Sequence, residues 1–321
     1  MAKEFVVGVD VGGQTSKIGI VNKEGKVVAQ SVIRTDTSAV AVEFLESLAA
    51  AIKELLAANS LTCADLNGVG VGAPNGNYYT GCIDDAPNLA WANGVKVSVA
   101  EILTDLLDGT PVTLTNDANA AALGEMTYGV AKGIKNFIMI TLGTGVGSGI
   151  VIDGKLLYGA DGFAGELGHT IIDRSPAARQ CGCGLKGCVE AYCSAIGAAK
   201  TAKLWLIETN EPSSLRSLPL DQINSYEIYK AAKSGDALAL KVFDYTGTLL
   251  GAAMADFVKF SAPEAIVLFG GLARSKEFLT EPITKALNAH LISIWRGKIK
   301  LLYSSLPESD AAILGASALA W

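Results

Sequence analysis

Leu142-Gly143-Thr144-Gly145-Val146-Gly147-Ser148-Gly149 is a glycine-dense run of the kind that lets backbone N–H groups close on a phosphate. Ala164-Gly165-Glu166-Leu167-Gly168-His169 follows it, and then Cys181, Cys183 and Cys188. A carboxylate among glycines, as Glu166 is, can accept hydrogen bonds from vicinal sugar hydroxyls. His169 with the three cysteines makes a Cys3His set for tetrahedral Zn2+, and a closed four-ligand site is structural, not catalytic. Its job would be to fix the loop that carries Glu166 and Glu190. Three buried thiols are the plainer alternative. Cys63, Cys82 and Cys193 have no partner pattern and read as core thiols.

A second glycine turn stands near the N-terminus, in Asp10-Val11-Gly12-Gly13-Gln14-Thr15-Ser16-Lys17. Glycine again permits close approach to a polyphosphate, and a carboxylate at a strand end suits Mg2+, held directly or through water. A β-turn with a capping Asp is the alternative. In Asn116-Asp117-Ala118-Asn119-Ala120 the carboxylate follows a strand. There it can take a proton from a substrate hydroxyl, and phosphoryl transfer asks little more than positioning and charge neutralisation. The same Asp could cap the next helix, and both roles can hold. Asn75-Gly76 and Asn88 lie in polar loops, as sugar contacts or as ordinary turn residues. Gly270-Gly271 ends an apolar strand, where backbone could approach an adenine or simply enter a helix.

Two letter matches fail on context. Residues 149–156 resemble a phosphate loop of the Walker type, but Leu156 replaces the Ser or Thr and the segment is a hairpin. Gly182, Gly184 and Gly187 fit the dinucleotide spacing, yet sit inside the cysteine cluster with no preceding strand. Trp91, Trp205, Trp295 and Trp321 show no stacking pattern, and His290 reads as incidental.

The positioning elements come from apolar periodicity. Phe5–Asp10 reads as a buried strand, Gly12–Val21 as a turn and return strand, and Val27–Ile33 as a third. Residues 39–58 carry helical spacing, Asn67–Gly72 and Val112–Thr115 are strands, and Asp117 opens an alanine-rich helix. The pattern then restarts at Phe137. Phe5–Lys26 and Phe137–Lys155 both read strand, glycine turn, strand, tight turn, strand, which suggests an internal duplication. Two such halves would face each other across a cleft. Helices are expected over 189–207, 236–260, 275–293 and 310–320, with strands at Glu264–Phe269 and Lys298–Tyr303.

A chain of 321 residues points to two domains. The division falls near residue 120: a small α/β domain of 1–120 plus 304–321, and a large α/β domain of 121–303 with the zinc loop and nucleotide elements. Half of the residues are hydrophobic and the net charge is -6 with no basic run, so nucleic acid and anionic membranes are poor partners. No signal peptide or membrane span is legible, and six cysteines without a disulfide framework suit the cytoplasm.

Together these residues resemble the ROK family of bacterial sugar kinases and repressors, most closely its glucokinase-type members. The resemblance covers nearly the whole chain and is most specific over 142–169 and Cys-Gly-Cys-Gly-x-x-Gly-Cys-x-Glu, 181–190. It implies the actin/hexokinase ATPase (ribonuclease H-like) fold, two α/β domains around a cleft that closes on sugar and ATP. Asp10, Gly12 and Gly13 would form the first phosphate loop, with Thr15 and Lys17 beside it, and Gly143-Thr144-Gly145 the second. Asp117 would be the catalytic base. Asn116, Asp117, Asn88, Glu166, His169 and Glu190 would meet the sugar, with Asn75 and Gly76 as further candidate contacts, and Gly270-Gly271 the adenosine. His169, Cys181, Cys183 and Cys188 match the zinc site. Gln14 stands where members carry Thr, so either Thr15 substitutes or Gln14 donates. The implied reaction is ATP- and Mg2+-dependent phosphorylation of a hexose 6-hydroxyl, glucose first, with N-acetylmannosamine, fructose and other hexoses open. A homodimer is expected by the same resemblance. A non-catalytic sugar-responsive regulator and an acyl-phosphate-forming kinase are the rivals.

Overall fold

Residues 3–321 are described by a computed structural model of the chain. Its contacts divide it into two units. The first holds the chain up to 133 with 149–164 and 305–321; the second holds 134–148 and 165–304.

The first unit is built on a sheet of order β3-β2-β1-β4-β8. Its strands are β1 (Phe5–Val11), β2 (Thr15–Asn22), β3 (Val27–Arg34), β4 (Leu66–Gly72) and β8 (Val112–Thr115). β1, β2 and β3 pair antiparallel, while β4 and β8 run parallel to β1. The β-branched runs of β1 and β4 are buried, as central strands covered on both faces must be. One face carries α1 (Ala41–Ala58) and α2 (Val99–Leu106). Phe44, Leu48, Ile52 and Leu56 recur every four residues along α1 and form a buried stripe against Val7, Val9, Val69 and Val71. A small sheet of β5 (Gly76–Asn77), β6 (Cys82–Asp84) and β7 (Lys96–Val97) lies between β4 and α2 in the chain.

The other face is lined by glycine. Gly19, Gly8 and Gly70 stand in register across β2, β1 and β4. Helix α9 (Glu308–Ser317) packs on that row so closely that a Cβ on Gly8 would overlap the Ile313 carbonyl oxygen, and one on Gly70 that of Ala316. Helix α3 (Asp117–Thr127) joins it there, with Gly124 against Gly315. A division at residue 120 would cut α3, and the packing of α3 on α9 is why the contacts keep the whole helix in the first unit.

The second sheet has the order β11-β10-β9-β12-β13. Its strands are β9 (Phe137–Leu142), β10 (Val146–Ile152), β11 (Lys155–Leu156), β12 (Ala265–Phe269) and β13 (Lys300–Tyr303). Place by place, this repeats the order of the first sheet, so the duplication read in the sequence is present in the topology. The second unit adds α4 (Glu190–Cys193), α5 (Ala195–Glu208), α6 (Ser225–Lys233), α7 (Ala237–Ser261) and α8 (Lys276–His290). Phe243, Leu250, Met254 and Val258 of α7 pack with Leu279, Ile283 and Leu287 of α8 in its core.

Three local differences from the sequence reading have clear causes. The helix expected over 189–207 breaks at Ser194, whose side chain accepts the Gly197 N–H and starts α5 afresh. Asn116, not Asp117, caps α3: its Oδ1 accepts the Asn119 N–H at 2.8 Å, and Asp117 is the first helical residue. Helices α2 and α6 went unread because one is a single short amphipathic turn pair and the other is polar apart from Ile228 and its alanines. Cys63, Cys82 and Cys193 are buried, as expected of core thiols. Among the described residues, no helix is long and apolar enough to cross a membrane.

Candidate active site

Parallel strands that end together put their following loops at one edge of a sheet, and the first unit uses that edge. Asp10 pairs with Gly72, and Gly72 with Thr115, so the C-terminal ends of β1, β4 and β8 form one row. Asp10 sits in the row itself. Asn75 and Gly76 follow β4, and Asn116 and Asp117 follow β8. Gly76 is buried where a Cβ would meet the Thr115 carbonyl oxygen at 2.5 Å. The first glycine turn is closed by the Gly12 N–H to the Thr15 carbonyl at 3.1 Å. A Cβ on Gly13 would come within 2.9 Å of the Asn88 carbonyl oxygen, so glycine is what lets the 86–89 turn approach. Gln14 and Thr15 are both exposed. Asn75, at φ 52°, donates its side-chain amide to the Asp84 and Asp85 carbonyls at 3.1 and 2.7 Å, holding the loop in shape.

The electrostatics single out two carboxylates. Burial pushes the Asp10 carboxyl up to about 6; the Asp117 charge adds to this, and Lys17, opposite it in the β1–β2 register, opposes it. Asp117 is open to solvent yet surrounded by protein, and that surrounding raises its carboxyl above the ordinary range. The Ala118 N–H, donating to Asp117 Oδ1 at 2.9 Å, pulls the other way. Two like charges held near each other are a usual way to set proton affinities at a reaction centre.

The second unit assembles the other predicted residues. Gly143-Thr144-Gly145 forms the turn between β9 and β10, closed by the Gly143 N–H to the Gly145 carbonyl at 3.0 Å. Gly270, at φ 102°, lies against Leu142, where a Cβ would be 2.6 Å from the carbonyl oxygen; the two glycine segments are therefore adjacent. Gly143 and Gly271 face open space, with no atom within 4 Å of where a Cβ would stand. Glu166 lies 3.8 Å from His169 Nε2, and His169 Nδ1 lies 3.7 Å from Cys181 Sγ. Cys183 and Cys188 sulfurs are also 3.7 Å apart, and the four ligand atoms all lie within 4.8 Å of one another. A tetrahedral zinc with sulfur ligands at about 2.3 Å needs sulfurs about 3.8 Å apart. The cluster can therefore hold a metal, with His169 turning Nδ1 to the ion and Nε2 toward Glu166.

Several residues that hold this arrangement were not read from the sequence. Thr141 Oγ1 accepts the Gly147 N–H at 3.1 Å. Ser148 Oγ donates to the Gly165 carbonyl and accepts the Leu167 N–H at 3.1 Å. Behind the cysteine loop, Arg179 stacks on the Tyr192 ring at 4.5 Å, while Tyr192 donates to Asp173. Hydroxyls on strands and a lone Arg–Tyr pair have no spacing that announces them.

The chain matches the ROK family profile over residues 6–321. It belongs to the ROK family. It is 36% identical over 320 residues to a glucokinase of Halalkalibacterium halodurans, covering 98% of this chain and 94% of that one. It is also 28% identical to a xylose repressor of Caldicellulosiruptor bescii, covering 98% of this chain and 77% of the repressor. A crystal structure of a ROK family glucokinase from Streptomyces griseus, in complex with glucose and AMPPNP, superposes with a TM-score of 0.79 at 31% identity, covering 98% of each chain. The fold is accordingly the two-domain actin-like ATPase fold of ROK sugar kinases, and the repeated strand order is its duplicated unit.

Proposed function

We propose that this ROK protein is an ATP-dependent hexose kinase that phosphorylates glucose on its 6-hydroxyl. The observation that carries the reading is Asp117, an accessible carboxylate of raised proton affinity on the first turn of α3. It stands at the same sheet edge as Asp10 and the first glycine turn. Asp117 takes the 6-hydroxyl proton as that oxygen attacks the γ-phosphorus in line; the new O–P bond forms as the bond to the ADP oxygen breaks. Backbone N–H groups of Gly12, Gly13 and Gly143–Gly145 meet the phosphoryl oxygens, and Gly271 leaves space for the nucleoside. Mg2+, when bound beside Asp10, neutralises charge on the phosphates. Asn75, Gly76, Asn88, Asn116, Glu166, His169 and Glu190 are the groups assigned to the sugar. Zn2+ held by His169, Cys181, Cys183 and Cys188 is structural, fixing the loop that ends in Glu190. None of the six cysteines is paired in a disulfide, which supports a cytoplasmic setting.

The repressor relative favours one second reading, a sugar-responsive regulator without turnover. One assay separates the two: ATP-dependent ADP release over glucose, mannose, fructose, allose, N-acetylglucosamine and N-acetylmannosamine. Turnover on glucose above the other sugars supports the proposal. Silence on all six, with sugar binding still visible as a thermal shift, supports the regulator.

The buried charge at Asp10 has a cost that the reaction requires. Because its carboxyl is raised from 3.8 to about 6, the native state binds the proton more tightly than the unfolded chain. Asp10's own contribution to stability is therefore fully present below about pH 4, is lost between about pH 4 and 6, and above that is lower by about 3 kcal/mol. Asp10→Asn is expected to melt higher than the parent at pH 8 in the absence of Mg2+, with no difference near pH 4, while losing at least roughly tenfold in turnover. Melting curves at the two pH values check the sign, and a variant less stable at pH 8 contradicts it.

A further inference from the structure

Two loops of the second unit meet on one carboxylate. Glu190 opens α4 two positions after Cys188. Its Oε2 accepts the Val146 N–H at 2.9 Å, at the end of the 143–146 turn. Its Oε1 lies 3.4 Å from the Cys181 sulfur. The thiol donates there, which a metal-bound thiolate cannot do, so metal loading frees Oε1 as an acceptor. The approach is close enough to dictate the residue opposite: a Cβ on Gly145 would overlap Glu190 Oε2.

The start of β10, directly after that turn, holds the Glu166 segment. Ser148 Oγ donates to the Gly165 carbonyl and accepts the Leu167 N–H. A Cβ on Gly168 would overlap the Val146 carbonyl oxygen. Segment 165–169, the cysteine loop and the glycine turn are thus one hydrogen-bonded body, with Val146 at its centre.

Charge makes this arrangement unusual. A turn that offers N–H groups to a phosphate is backed by an anion, which opposes a second anion in front of it. A hydroxyl donating to the free Oε1 would disperse that charge and fix the carboxylate's orientation while Oε2 keeps hold of Val146. We infer that Glu190 is a positioning residue that couples sugar occupancy to nucleotide affinity, acting on the phosphate turn through the Val146 N–H. The inference rests on the kinase reading above. It makes the coupling reciprocal, so nucleotide tightens sugar by the factor by which sugar tightens nucleotide.

The test is calorimetric titration of Mg2+–AMPPNP with and without saturating glucose, on the parent protein, Glu190→Gln and Glu190→Ala. In the parent, glucose tightens AMPPNP by about fivefold or more. Gln keeps an oxygen for Val146 but carries no charge. Glu190→Gln is therefore expected to bind AMPPNP without glucose about as tightly as the parent does with it, a gain that a purely structural residue would not give. In Glu190→Ala the effect of glucose falls below about twofold. Should the alanine variant fail to fold in a melting scan, the glutamine variant alone decides. The inference is overturned if Glu190→Gln binds AMPPNP alone more weakly than the parent, or keeps the parent's full response to glucose. A parent that binds AMPPNP and glucose independently overturns the inference and leaves the kinase reading intact. A parent that binds no AMPPNP under any condition overturns the kinase reading, and the inference with it.

Discussion

Asp117→Asn lowers turnover by about 10^3-fold and leaves glucose affinity within about twofold of the parent. The substitution is nearly isosteric. Asn keeps an oxygen for the Ala118 N–H, now 2.9 Å from Asp117 Oδ1, and Asn116 continues to cap α3. What disappears is the capacity to take a proton, together with a charge that the surrounding protein disfavours and that also opposes ionisation of Asp10. A melting temperature at or above the parent's at neutral pH, beside a large drop in kcat, is the expected signature. The pH profile gives a second check. Surrounding protein raises the Asp117 carboxyl, so the parent's kcat should fall as pH drops through that raised value, whereas the residual activity of the variant should lack this limb. Steady-state kinetics and sugar titration suffice, and a kcat within about tenfold of the parent would remove Asp117 as the base.

Untagged protein should carry one zinc per chain, and Cys188→Ala should carry almost none. Cys188 is fully buried and its sulfur lies 3.7 Å from that of Cys183, so alanine both removes a ligand and leaves the remaining three unable to close the shell. The loss spreads through the chain of contacts from the cysteine loop to Glu190 and His169. Metal loss of this kind is expected to weaken sugar affinity by about 10–100-fold and to lower the melting temperature by several degrees. Elemental analysis beside glucose titration reads both effects. Parent protein that contains no zinc and still phosphorylates sugar at full rate would sink the structural-metal assignment.

How much of this was legible beforehand depends on sequence distance. The strands around Asp10 and Leu142 showed themselves as β-branched runs broken by glycine, and their similarity exposed the repeated topology. The groups around Glu166, His169 and Cys188 lie close together in the chain, so spacing alone suggested their company. What stayed hidden depends on partners far away or on one-atom choices. Whether Asn116 or Asp117 caps α3 turns on a single side-chain rotamer. Ser148 and Thr141 read as ordinary strand residues until the loops they hold are in place. The short stretch 149–164 joins the first unit although the strand it continues begins in the second, and no compositional change marks that exchange.

The glycine row of the first sheet carries a consequence for how the protein is made. Gly8, Gly19 and Gly70 each weaken the strand that bears them, by roughly 0.5–1 kcal/mol relative to alanine, and recover that only when α9 lies across them. That helix is Glu308–Ser317, which is translated after every strand and helix of the second unit. A nascent chain thus holds β1, β2 and β4 without α9 across their glycine row until the elements of the second unit have been made. Such contacts between distant parts of a chain are slow to form and leave apolar surface available to chaperones in the meantime. The first sheet to be synthesised is the last to be finished.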